Sequence, residues 1–188
     1  YYTSAAPSFD KGTLSADLAN YVKENGVKMG YNPGTYQMIS GVKKFPEILA
    51  ATEVFFVNVE EAKRILEIPE DTKLAIKELL QKTRDDLGLK NVVITDGHDG
   101  SYSTDGTNFY QLPEFPGDRV EATGAGDAFA TAVCAALFHG KTLPEAMVWG
   151  SINGASVVGQ IGPQAGLLTL NEIEKRSSSR PDFQAVKI

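Results

Sequence analysis

Residues 120–132, VEATGAGDAFATA, place Gly124 and Gly126 on either side of one alanine and follow them at once with Asp127. Glycines ahead of a helix let backbone N–H groups come close to an anion. A carboxylate in the same turn opposes a bound anion, so Asp127 has two readings. It complements the helix dipole as a first-turn acid, or it serves a reaction that needs a carboxylate beside a phosphate. Two other phosphate loops do not fit. The dinucleotide pattern needs Gly or Ala where Phe129 stands, and a Walker-type loop needs a Lys-Ser or Lys-Thr pair after its glycines.

Three further stretches carry groups that could act with it. In VFFVNVEEAKRIL, Asn58 follows an apolar run and Glu61 comes three residues later. Ligands of open α/β sheets bind at the C-terminal ends of strands. An amide and a carboxylate there suit a hydrated Mg²⁺ and its phosphate oxygens. The same spacing also makes a capping box, with Asn58 as N-cap and Glu61 at the third helical position. In VVITDGHDGS a second apolar run leads into Thr95, Gly97 and Gly100. That is a loop laid against a nucleotide or an ordinary strand-ending turn. His98 has no partner constellation for a catalytic base, and His139 beside Gly140 suits a helix C-terminus. The segment VWGSINGASVVGQIGPQAGLL is rich in Gly, Ala and Ser. Close helix packing accounts for it, with Asn153 a candidate for nucleotide contact.

The elements that must position these groups follow from patterning. Leu14–Glu24 reads as a helix stopped at Gly26, and Val27–Tyr31 as a short strand broken by Asn32–Pro33–Gly34. Val54–Val57 and Asn91–Thr95 are apolar runs of buried-strand length. Glu60–Leu66 is helical in character, and Thr72–Leu87 sets Ile76, Leu79, Leu80 and Leu87 at helical spacing. SYSTDGTNFYQL reads as a hairpin turning at Asp105–Gly106. Helices are expected over about Gly126–His139 and Thr142–Gly159, the second with Thr142 as cap and Pro144 in its first turn. Strands alternating with helices predict an α/β fold with a mostly parallel sheet. The expectation is one domain over 1–188, with Ser177–Ser179, Arg180 and Pro181 opening a linker and tail over 177–188.

Composition narrows the class. A chain of 188 residues is long enough to bury roughly 70% of its unfolded surface. Its net charge is −6 with no basic cluster, which argues against nucleic acid as partner. It does not argue against a nucleotide, because backbone amides hold phosphates without net positive charge. The longest apolar run, around Ala128–Phe138, is too short to span a bilayer, so no membrane partner is expected. The stretch YYTSAAPSFD carries neither a basic nor an apolar leader region. Cys134, the one cysteine, reads as core packing and points to a reducing, cytoplasmic setting.

The order of the motifs is more specific than any one of them. Along the chain stand NPG at 32–34, Asn58-x-x-Glu61, TDGHDG at 95–100, TGAGDAF at 123–129 and GPQAG at 162–166. The set resembles the C-terminal portion of the ribokinase-like, or PfkB, family of carbohydrate and nucleoside kinases. That family's second signature reads Asp-Thr-x-Gly-Ala-Gly-Asp. The resemblance implies a ribokinase-like three-layer fold and transfer of the ATP γ-phosphate to a hydroxyl of a sugar or sugar-like small molecule. A nucleoside, adenosine-like, acceptor is the close alternative. A nucleotide-binding module without activity of its own, and a nicotinamide-binding domain, are rivals from other classes.

By the same resemblance, Asp127 corresponds to the base that accepts the proton of the attacking hydroxyl. The N–H groups of Gly124, Ala125, Gly126 and Asp127 correspond to the anion hole. Asn58 and Glu61 correspond to the motif that organises Mg²⁺ and phosphate. Thr95, Gly97 and Gly100 fall in the loop that relatives lay against ATP, with Asn153 and GPQAG near the adenine. Many relatives hold a monovalent cation with the signature's leading Asp. Glu121–Ala122 replace Asp-Thr here, which puts activation by K⁺ in doubt. Relatives also carry an N-terminal half with a Gly-Gly substrate motif, and most have a β-sheet lid that often mediates homodimers. Neither stands in this sequence, so the chain is expected to be the C-terminal part of such a kinase.

Overall fold

In the computed structural model, residues 1–4 and 13–188 are described. The later part of the N-terminal stretch read above for a leader lies outside them. The contacts divide the chain into two units, Tyr1–Ile94 with Thr104–Thr107, and Thr95–Ser103 with Asn108–Ile188.

The first unit holds α1 (Leu14–Glu24), β1 (Met29–Tyr31), α2 (Thr35–Ser40), α3 (Pro46–Ala51), β2 (Thr52–Asn58), α4 (Val59–Ile65), α5 (Ile76–Leu87) and most of β3 (Asn91–Thr95). Strands β1 and β2 run parallel with Gly30 opposite Val54 and Tyr31 opposite Phe55. The apolar run Val54–Val57 is buried throughout, as are Val92, Val93 and Ile94. A strand apolar on both faces needs cover on both faces, and that accounts for the two VFFV-like runs. The helical spacing that begins at Thr72 becomes helix only from Ile76. Thr72 N–H donates to Pro69 O at 3.0 Å, and Lys63 Nζ donates to Glu70 O and Thr72 O at 2.7 and 2.9 Å. That clamp holds 69–72 as a turn.

The second unit holds β4 (Ser101–Thr104), β5 (Phe109–Leu112), α6 (Ala125–Phe138), α7 (Leu143–Val158), α8 (Leu170–Ser179) and β6 (Val186–Lys187). The hairpin expected to turn on two residues uses the longer connection 105–108. Gly106 N–H donates to Thr104 Oγ1 at 3.1 Å, and Thr107 N–H to Asp105 Oδ1 at 2.9 Å. Side-chain acceptors of this kind stabilise a wider turn than Asp-Gly by itself requires. Helix α7 begins with the predicted cap, Thr142 paired with Glu145.

Helices α6 and α7 pack closely because α7 has no side chain where they meet. A Cβ on Gly150 would lie 2.7 Å from Val133 Cγ2 and 3.0 Å from the Phe129 ring. The residues read as a linker and tail are ordered parts of the unit instead. Ser177–Ser179 close α8, and Val186 and Lys187 pair antiparallel with Gln111 and Tyr110. Phe183 anchors them, buried with Leu112, Met147, Val148 and Ile152 and edge-on to Phe115 at 5.0 Å. One aromatic with a matching pocket turns a polar tail into structure. The strands are therefore mixed in direction, parallel between β1 and β2 and antiparallel between β5 and β6.

Candidate functional site

Thr95, Gly97, Gly100, Ala125 and Gly126 all line one cavity of about 150 Å³ within the second unit. Its first wall forms where β3 ends. Asp96 N–H donates to Gly100 O and Asp99 N–H to Asp96 O, both at 2.9 Å, closing a tight turn. Gly100 sits at φ +95°, and a Cβ there would lie 2.2 Å from Leu112 O. Only glycine lets the chain enter β4 so close to the backbone that follows β5. His98 is exposed on this turn, 3.3 Å from Asp99, a solvated pair.

The second wall is the start of α6. Gly124 is the N-cap, in the left-handed region at φ +82°, and no side chain caps the helix. A Cβ on Gly124 would lie 2.7 Å from Pro163 O, so the loop rests against the 162–166 turn. Asp127 stands in the first helical turn and is exposed. Of the four amides expected to face an anion, that of Ala125 donates to Ala122 O at 3.2 Å and turns back into its own loop. Gly126 differs from Gly124, because a Cβ there would meet no atom within 4 Å.

Glu121, the departure from the family signature, is a tie between segments. Its Oε2 accepts from Gly162 N–H at 2.9 Å, and hydrogen bonds from the Thr123 hydroxyl and then Gly162 N–H hold its carboxyl below the usual range. Val120 and Glu121 N–H groups both donate to Val158 O, at 2.8 and 3.1 Å. The loop that leads into α6 is thereby held to the end of α7 and the turn after it.

Asn153 is spent on the protein itself. It is 4% exposed, its Nδ2 donates to Ala128 O at 2.8 Å, and its Oδ1 accepts from Leu168 N–H at 3.0 Å. It braces α7 against α6, and its neighbours Ser151, Gly154 and Ala155 line the cavity. Cys134 is half-buried in α6, and burial pushes its thiol up, as befits packing.

Asn58 and Glu61 lie in the first unit and form the capping box. Glu61 N–H donates to Asn58 Oδ1 at 2.8 Å and Asn58 N–H to Glu61 Oε2 at 2.9 Å. Burial raises the Glu61 carboxyl above its ordinary value, opposed by the bond from Asn58. A nearby cation would favour its charged form. Among the described residues no group of three or more His, Cys, Asp or Glu could hold a metal. Glu61 therefore fits Mg²⁺ only in the manner of an ion that takes most ligands from phosphate and water. No helix among the described residues is long and apolar enough to cross a membrane.

The model of the pfkB family of carbohydrate kinases matches residues 3–170. The chain belongs to the pfkB family. A cytidine kinase from Thermococcus kodakarensis is 36% identical over 132 residues, 68% of this chain and 45% of the relative. An ATP-dependent ribose-1-phosphate kinase from Halopiger xanaduensis is 28% identical over 151 residues, 80% of this chain and 47% of the relative. An E. coli structure described as a ribokinase II in complex with ATP and Mg²⁺ superposes with TM-score 0.70 at 21% identity, covering 87% of this chain and 53% of that one. The fold is thus that of the ribokinase-like kinases. The pfkB chain spans about half the length of the curated relatives it matches.

Several cavity residues of this pfkB chain carry no signal in the sequence. Ser101, Glu114, Arg119 and Ser151 line the site, yet none stands in a chemically telling pattern. Ser101 follows directly on Gly100, and adjacency to the turn is the one clue that could have found it.

Proposed function

We propose that the complete protein transfers the γ-phosphate of ATP to a hydroxyl of a sugar or sugar-like small molecule. The observation that carries this reading is the cavity in which Thr95, Gly97 and Gly100 face the helix start Ala125–Gly126, in a chain matched by a carbohydrate-kinase family. The acceptor oxygen attacks the γ-phosphorus as the bond to the β,γ-bridging oxygen breaks. ADP leaves with that electron pair, and the hydroxyl proton passes to Asp127. The N–H groups at Gly124 and Gly126 stabilise the charge spread over the equatorial oxygens, because phosphoryl transfer depends on positioning and fixed dipoles. Thr95, Gly97 and Gly100 support the nucleotide.

Asn58 and Glu61 are the residues that would organise Mg²⁺, which when bound neutralises phosphate charge. We assign Asn153 to bracing the helix that carries Asp127, and Glu121 to holding the anion-hole loop, so K⁺ has no part in the proposal. A nucleoside acceptor is the second reading, favoured by the cytidine kinase at 36% identity.

The experiment is an ADP-release screen of the complete protein over sugars and nucleosides, repeated with Asp127→Asn. Loss of a positioned base lowers the rate by about 10²–10⁴-fold, while ATP binding stays near wild type. Activity surviving within a few-fold would remove Asp127 from the role of base.

A further inference from the structure

Strand β4, Ser-Tyr-Ser-Thr, carries three buried hydroxyls with different fates. Ser103 Oγ donates to Met147 Sδ at 3.0 Å, and Thr104 Oγ1 accepts from Gly106 N–H at 3.1 Å. Ser101 is 2% exposed, and its Oγ has no hydrogen-bond partner among the described residues. A buried polar group without a partner is destabilising, and native proteins rarely leave one without a reason.

The place of Ser101 supplies a reason, since it lines the cavity described above. The other serine there is already engaged. Ser151 Oγ accepts from Phe115 N–H at 2.9 Å and donates to Pro113 O at 3.4 Å. The two charged side chains on the wall pair with each other, Arg119 Nη1 donating to Glu114 Oε2 at 2.5 Å. The remaining lining is Thr95, Phe129, Val158, alanines and glycines. Away from Gly126, which is assigned to the phosphoryl group, no side chain of that remaining set is charged. A flat, neutral, largely apolar ring with a polar edge matches it, and its edge would meet the buried Ser101 hydroxyl, which has no partner among the described residues.

We propose that Ser101 Oγ is the hydrogen-bonding contact for the base of the bound nucleotide. This rests on the phosphotransferase reading and adds to it the residue that holds the donor's base. A hydroxyl both donates and accepts, so it can pair with a ring nitrogen or with an exocyclic amine. In this assignment Ser101 contacts the base and not the transferring phosphoryl group, so it contributes equally to ground state and transition state. Its loss therefore raises KM for ATP and leaves kcat unchanged.

The test is Ser101→Ala in the complete protein, read in three ways. Calorimetric titration with ADP shows binding weakened about 3- to 10-fold, the worth of one neutral hydrogen bond. Titration with inorganic tripolyphosphate, which has no base, shows no change. Urea unfolding of the nucleotide-free protein shows stability unchanged or raised, because the substitution removes a polar group that lacked a partner. An ADP affinity within 2-fold of wild type overturns the assignment, and so does a clear loss of nucleotide-free stability, which would mean the hydroxyl is bonded inside the protein. If the wild-type protein binds no ADP, the phosphotransferase reading falls and this assignment falls with it. Failure confined to the variant leaves that reading standing.

Discussion

Gly126 is the sharpest test of whether the helix start serves a reaction. The glycine is not required by the protein's own packing, since a Cβ would find nothing within 4 Å and its φ is not in the left-handed region. It stands in the first turn of α6, where alanine is the better helix former by about 0.5–1 kcal/mol. Gly126→Ala is thus expected to stabilise the protein by about 0.5 kcal/mol, a rise of about 1–2 °C in Tm for a chain of this size. The same methyl group would stand beside the amide assigned to the phosphoryl oxygens. Displacing one oxyanion donor lowers kcat by about 10²–10³-fold. The assay pairs thermal unfolding with steady-state phosphoryl transfer in the complete protein, and the opposed signs of the two effects are the signature. Transfer within about 3-fold of wild type would mean that no reacting group uses the space at Gly126, because a lost donor cannot be that cheap.

Gly124→Ala has the opposite balance. A left-handed backbone at φ +82° costs a non-glycine residue about 1–2 kcal/mol, and the approach to Pro163 adds overpacking of about 1–3 kcal/mol. Urea unfolding should show a loss of about 2–5 kcal/mol from these two sources together; a neutral result would overturn both the left-handed backbone at Gly124 and its approach to Pro163. Glu61→Gln keeps the capping box, since glutamine serves at that position, and removes the charge. Burial raises the folded-state Glu61 carboxyl above 4.5, so ionising it opposes folding as pH rises from 4.5 through the raised value. The variant's stability relative to wild type is therefore expected to improve between pH 4 and 7 in urea titrations, while Mg²⁺-dependent transfer falls. A flat difference across that range would sink the assignment of burial as the dominant influence.

Much of the local structure was legible along the chain. Asn91–Thr95 is strand to the residue, Leu14–Glu24 is the first helix, and Asn58 with Glu61 forms the capping box their spacing allows. The glycine turn at Gly97–Gly100 and a helix start near Gly126 are both legible in the spacing, whereas the cavity they share is not. Legibility failed where a residue's partner lies far along the chain. Residues 177–188, read as a linker and tail, close α8 and form β6, with Phe183 in a pocket made by α7 and β5. Asn153, a candidate for nucleotide contact by its segment, has its amide held by Ala128 and Leu168, partners that no local spacing shows.

The sequence by itself determined the periodic strands and helices, the reciprocal caps and the turns that demand glycine. These depend on neighbours within about four residues, the reach of helical and turn hydrogen bonds. Tertiary structure alone decided which side chains remain available for a ligand. Glu121 is committed to Gly162, 41 residues away, and Ser103 to Met147, 44 residues away. Ser101, two positions from Ser103, has no such partner among the described residues. Whether a buried hydroxyl is satisfied depends on every surface that closes over it, and no local spacing records that.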